Sequence, residues 1–130
     1  MSRKVLHDDA WLRVEHDPVL QVVFVRRTAE PLTEAVFEHS PLAKLRLTLL
    51  GIDRAHHGVL VDMRAPQIRN DELIEKVNRE FQELMRGFRK SAVLVRTATG
   101  LLQVGRTARE GATGARGFTD EDEALAWLRA

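Results

Sequence analysis

Gly58-Val59-Leu60-Val61-Asp62-Met63-Arg64-Ala65-Pro66-Gln67-Ile68-Arg69-Asn70-Asp71-Glu72 decides how this chain folds. Val59 to Val61 is a short apolar run, the pattern of a strand covered on both faces. Pro66 blocks simple continuation of that strand. Asn70 suits a helix N-cap, and Asp71 and Glu72 suit the positive end of the helix dipole. Leu73, Val77, Phe81, Leu84, Met85 and Phe88 then recur at helical spacing, with Ile74 on the margin of the stripe. Glu75, Lys76, Arg79, Glu80, Glu83 and Arg86 fall mostly on the opposite side, so this segment predicts an amphipathic helix that ends near Gly87.

Downstream, Ala92-Val93-Leu94-Val95-Arg96 reads as another buried strand. A helix between two short apolar strands predicts a βαβ unit with a parallel pair. Residues 97–110 admit two readings. Leu101, Val104 or Gly105, and Ala108 fit one helical face, whereas Thr99-Gly100 could turn a hairpin into Leu101 to Thr107. The helix is preferred, because a hairpin would have to fit beside an already central strand. Gly111 to Gly117 is a flexible loop by composition. Thr119-Asp120-Glu121-Asp122 caps a last helix, whose buried side is Ala124, Leu125, Trp127 and Leu128.

Upstream, residues 10–16 alternate, with Ala10, Leu12 and Val14 on one face and Trp11, Arg13 and Glu15 on the other. His16-Asp17-Pro18 marks a turn. Val19 to Val25 follows as a strand apolar at nearly every position, and the two strands predict an antiparallel hairpin. Leu32 to Phe37 fits a short helix. Ser40 and Pro41 read as N-cap and first residue of a further helix, with Gly51 closing it.

The 130 residues are the size of one domain, and 44% hydrophobic with 30% charged residues is a globular composition. Lys+Arg 20 against Asp+Glu 19 gives no basis for a nucleic-acid or membrane-surface role. The absence of cysteine excludes disulfides, thiolate metal sites and a Cys nucleophile. No apolar run approaches the roughly 20 residues of a membrane span, and the N-terminus has no signal-peptide core. The expectation is a cytoplasmic protein with one domain over residues 1–130.

This order of elements resembles the anti-sigma-factor-antagonist (STAS-like) domains, in the variant group that shares STAS and CRAL-TRIO character. The residues that carry the resemblance are Val59 to Arg64, Arg69-Asn70-Asp71, Gly87-Phe88-Arg89, Ala92 to Val95, and Gly117 to Leu128. The resemblance implies an α/β fold: a mixed sheet with an N-terminal antiparallel hairpin, parallel βαβ units and helices packed on it. It also implies partner binding rather than catalysis. Phospho-regulated members carry a Ser in the loop before the long helix; here residues 65–71 contain neither Ser nor Thr. That switch does not transfer, and Asp71 and Glu72 would repel an added phosphate.

Asp62, Arg64, Arg69, Asn70 and Asp71 lie where a strand's carboxyl end meets a helix N-terminus, the crevice in which open α/β sheets bind ligands. They form the candidate partner-binding surface, for another protein or a second copy of the chain. The same residues also suit local duties: Asn70 as cap, Asp62 bonding loop amides, Arg64 pairing with a carboxylate. The alternative function is a small-molecule or lipid-binding domain, with apolar space between the sheet and the helices at 71–88 and 99–110. No catalytic residue, metal site or cofactor is expected. His56-His57 lacks a third ligand, and His7, His16 and His39 are scattered. Ser40 and Ser91 have no His–Asp relay. Gly111 to Gly117 lacks the Lys-Ser/Thr of a P-loop. Arg86, Arg89, Lys90 and Arg96, with Arg106, Arg109 and Arg116, suggest either a basic patch or a solvated face. Trp127 reads as core, and Trp11 as a self-association surface.

Overall fold

The computed structural model of the chain describes residues 3–29, 33, 41–65, 71–111 and 114–130. The elements run β1 (Lys4–Asp8), β2 (Leu12–Asp17), β3 (Val22–Arg27), α1 (Pro41–Leu49), a 3-10 turn (Arg54–His56), β4 (Gly58–Asp62), α2 (Asp71–Met85), β5 (Lys90–Leu94), α3 (Ala98–Gly111), β6 (Arg116–Phe118) and α4 (Glu121–Arg129). The six strands form one sheet in the order β1-β2-β3-β4-β5-β6. β1, β2 and β3 are antiparallel neighbours, and β3 to β6 are parallel.

That topology dictates the layers. Right-handed crossovers between successive parallel neighbours all fall on the same face of a sheet. One core accordingly joins Leu12, Val14, Val23, Val25, Val59 and Val61 to Leu45 and Leu49 of α1 and to Val77, Phe81, Leu84 and Met85 of α2, with Val104 of α3 packed against it. The other face buries Val22, Phe24, Leu60, Ala92 and Leu94 under Ala124 and Leu128 of α4. Neighbours along β3 thus belong to different cores, as the two-residue period of a strand requires. α4 lies close across the start of β4: a Cβ on Gly58 would stand 3.0 Å from Leu128 Cδ2.

The mixed sheet, the parallel βαβ units and the helical reading of residues 97–110 all appear in the structure. The N-terminal hairpin is β2–β3, and β1 adds a third antiparallel strand that the residue pattern did not announce. Lys4-Val5-Leu6-His7-Asp8 lacks clean alternation, and its pairing with β2 shifts register between Val5 and His7. Such a bulge breaks the two-residue period on which strand recognition depends. Asp17 ends β2 buried, its Oδ1 accepting from Val19 N and Leu20 N at 3.0 Å each. Gln21, at φ +56°, closes the hairpin.

Trp11 is a correction. It is 2% exposed and packs 6.3 Å from the Phe81 ring, so it is core and not a self-association surface. The Asp9 carboxylate accepts from the amides of Trp11 and Leu12 at 2.7 Å each. That turn leaves Trp11 outside the strand, so the alternation starts at Leu12 and does not place Trp11 on the charged face. Trp127 is half-buried against Phe118, at 5.6 Å between rings. The last helix is capped by Asp120, whose side chain accepts from Glu123 N at 3.1 Å. Pro41 opens α1 as expected, while Gly51 has no left-handed backbone. Gly87, at φ +87°, supplies that conformation after α2. The Leu32–Phe37 helix and the Ser40 cap lie outside the described residues. Among the described residues, no helix is long and apolar enough to cross a membrane.

Candidate functional site

Arg26 and Arg27 end β3, and the alternation of the strand sends them to opposite faces of the sheet. Each face presents a different chemical setting at the carboxyl ends of the parallel strands.

On the α4 face the parallel register places Arg26 opposite Asp62. Arg26 Nη1 donates to Asp62 Oδ2 and to Glu121 Oε1, both at 2.7 Å. Arg64 closes the group: its backbone N and its Nε donate to Asp62 Oδ1 at 3.1 and 3.0 Å, and its Nη2 to Asp62 Oδ2 at 2.9 Å and Glu121 Oε1 at 3.3 Å. Burial alone would raise the Asp62 pKa, but the bonds from Arg64 and Arg26 outweigh it and hold the carboxyl below its ordinary value. Glu121 is lowered by its bond from Arg26, against burial and against Asp62. Burial works against the charge of Arg26, yet Glu121 and Asp62 prevail and raise its pKa. Two cations and two carboxylates therefore neutralise one another, and the cluster ties α4 to the end of the sheet.

Of the candidate partner-binding residues, the structure brings Asp62 and Arg64 together. Asp71 opens α2, and its side chain lies outside the description, as do Arg69 and Asn70. The bonds that Asp62 and Arg64 make are the local ones that such a loop calls for: Asp62 accepts a loop amide, and Arg64 pairs with carboxylates. Arg26 and Glu121 were missed. Glu121 stands 95 residues from Arg26, and an acid in the first turn of a helix is already explained by the dipole.

On the opposite face a cavity of about 300 Å³ lies between the sheet, α2 and α3. Val61, Met63, Val93 and Val95 form its floor; Val77, Phe81 and Met85 of α2 and Val104 and Ala108 of α3 form its walls. Arg27, Asn78, Gln82 and Gln103 are its polar groups. An apolar body with a few polar groups is the usual make-up of a small-molecule site, and the volume sits at the lower end of the range of about 300–1,000 Å³. Arg27 Nη2 donates to Met63 O at 3.1 Å and to Ala65 O, which fixes the guanidinium beside the loop after β4. Burial first, and then the nearby Arg96, lower the Arg27 pKa, with Asp62 acting weakly the other way. Both causes mean that negative charge would be welcome there.

The remaining candidates disperse. Ser91 is buried and donates to Met85 O at 3.4 Å. Lys90 Nζ donates to Trp127 O at 2.9 Å and Ala130 O at 3.1 Å, and Arg89 donates to Leu128 O. These two cations cap the carboxyl end of α4 instead of forming a patch. Arg86 pairs with Glu83 at 3.2 Å, and Arg116 lies over the Phe118 and Trp127 rings. Among the described residues, no three His, Asp or Glu side chains group as metal ligands.

No protein-family model matches the chain, and no curated protein sequence matches it. Among solved structures it is similar to an uncharacterised protein of the DUF3478 family with a SpoIIAA-like fold, from Shewanella loihica PV-4. The TM-score is 0.62 at 13% identity, over 98% of this chain and 92% of that one. At this identity the likeness speaks for the fold alone. The mixed sheet, with its antiparallel start, parallel end and helices on both faces, is therefore a SpoIIAA-like, STAS-like fold.

Proposed function

We propose that this protein is a non-catalytic binding module that holds a small acidic amphiphile in the cavity between the sheet, α2 and α3. The observation that carries the reading is Arg27, a cation fixed at an apolar cavity beside a second cation, Arg96. The acid group would meet Arg27, and the apolar body would lie among Val61, Phe81, Val93 and Val104. A cytoplasmic regulatory setting, with occupancy read by other proteins, belongs to the same proposal.

The two tryptophans make it testable, because Trp11 touches Phe81 of the cavity wall and Trp127 sits on the other face. In a W127F background, Trp11 fluorescence should respond saturably to octanoate. Octanol should bind more weakly, and Arg27→Met should lower octanoate affinity at least tenfold, about 1.4 kcal/mol. Equal binding of octanoate and octanol, unchanged by Arg27→Met, would remove Arg27 from the reading.

Docking of a protein partner through residues 62–71 is the second reading. It rests on Arg64, whose side chain stays 38% exposed within the ion cluster. A partner would have to draw Arg64 away from Asp62 and Glu121. Arg64→Ala should then weaken capture of that partner while the chain stays folded; a variant that unfolds instead would make Arg64 structural.

A further inference from the structure

We infer that His16 and His57 form a two-imidazole site for a divalent transition-metal ion of the zinc and nickel type, at the edge where β2 turns into β3. His16 is on β2 opposite Val23, and His57 immediately precedes β4. Gly58 N donates to Gln21 O at 2.9 Å, which binds the turn after β2 to the start of β4. The two rings, 41 residues apart in sequence, meet in a hydrogen bond with Nε2 to Nε2 at 3.0 Å, and an ion between them would take the place of the bridging proton, which His16 Nε2 gives up. Two nitrogens bound to one ion at about 2.0–2.1 Å stand about 2.9–3.4 Å apart, for angles between square and tetrahedral. The ring centroids are 5.0 Å apart with planes tilted by 53°, so the rings do not stack and the nitrogens approach tip to tip.

The second nitrogen of His57 supports the same assignment. Its Nδ1 lies 2.7 Å from Asp53 O, and a carbonyl only accepts, so Nδ1 carries the proton and Nε2 carries the lone pair. Ligating histidines are held in this way by a carbonyl or carboxylate on the far nitrogen. Asp53 O is itself set by the 3-10 turn, where it also accepts His56 N at 3.1 Å.

The surroundings define what kind of site this is. Lys4 on β1 pairs with His16, and Asp17 follows His16 but is engaged with the hairpin amides and Arg3. The Asp53 carboxylate is 2.6 Å from His56 Nδ1. With two protein ligands, the remaining positions would go to water or to a donor from a bound partner, so the ion would exchange readily. Imidazole selects zinc, nickel and copper over magnesium. The sequence hides the site because His56-His57 suggests a pair of neighbours, whereas the working pair is His57 with His16.

The test is titration of tag-free protein with Zn²⁺ and Ni²⁺ by calorimetry, with the histidine ring signals followed by NMR. Wild type should show one saturable site per chain and no response to Mg²⁺, and Ni²⁺ should broaden the His16 and His57 signals first. His16→Gln and His57→Gln should each weaken binding at least tenfold, while His56→Gln and His7→Gln leave it unchanged. Circular dichroism identifies folded variants; His57→Gln, outside the strands, decides the matter if His16→Gln does not fold. The inference is overturned if wild type shows no saturable site, if His57→Gln binds as wild type, or if His56→Gln weakens binding as much as His57→Gln does.

Discussion

Arg26 and Arg27 are chemically identical neighbours, yet the fold assigns them opposite tasks. Arg26 turns to the α4 face and meets Asp62 and Glu121, which raise its pKa. Arg27 turns to the α2–α3 face and meets loop carbonyls, an apolar cavity and Arg96, and its pKa falls. The difference comes from the two-residue period of the strand, which gives consecutive side chains to different layers. One cation fastens a helix to the sheet; the other lines the cavity in which we propose that an acid group is held. Charge alone is therefore no guide to a binding site: the face of the sheet to which each cation turns decides what surrounds it.

The largest expected effect lies on the fastened face. Asp62→Ala leaves Arg26 and Arg64 with only Glu121 of their two shared carboxylates, and removes the one that is only 11% exposed. Breaking a buried ion pair costs about 3–5 kcal/mol, and the partial exposure of this cluster brings the expectation to about 2–4 kcal/mol. Urea unfolding measures it, and a loss under about 1 kcal/mol would erase the contrast between the faces. Arg27→Met should stay within about 1 kcal/mol of wild type, because the lost carbonyl bonds are offset by removal of a half-buried cation from beside Arg96. A stability loss as large as that of Asp62→Ala would make Arg27 a structural residue.

The smallest effect is in the pH profile. Asp62 and Glu121 have folded pKa values below their ordinary 3.8 and 4.5. The unfolded chain then binds more protons than the folded one in that range. The stabilisation is fully present above about pH 5 and is lost as pH falls through the folded values. Glu121→Gln should flatten this acid slope by a fraction of about 1.4 kcal/mol per pH unit, because it removes the carboxylate's contribution at neutral pH and leaves stability in acid nearly unchanged. An unaltered slope in urea midpoints as pH falls from about 5 toward about 3 would place the acid sensitivity elsewhere, with Asp9 and Asp17 the next carboxyls held low.

What could be read along the chain was whatever local pattern dictates. The apolar run Val59 to Val61 forms β4, the stripe from Val77 to Met85 faces the core from α2, and the acids after Asp120 open α4. The apolar space between the sheet and the helices at 71–88 and 99–110 was also foreseeable, since both helices show one apolar face, and the cavity lies there. The β1 strand was not legible, because its bulge interrupts the alternation. Trp11 was misplaced because the Asp9 turn, and not strand period, sets its direction.

The sequence by itself determined the elements and their apolar faces, since helix and strand periods are properties of neighbouring residues. Only the tertiary structure decided which distant groups meet. Arg26 finds Glu121 across 95 residues, and His16 finds His57 across 41. Those meetings depend on strand register and on the face each helix covers, which are set by packing the whole sheet at once and leave no periodic trace in the chain.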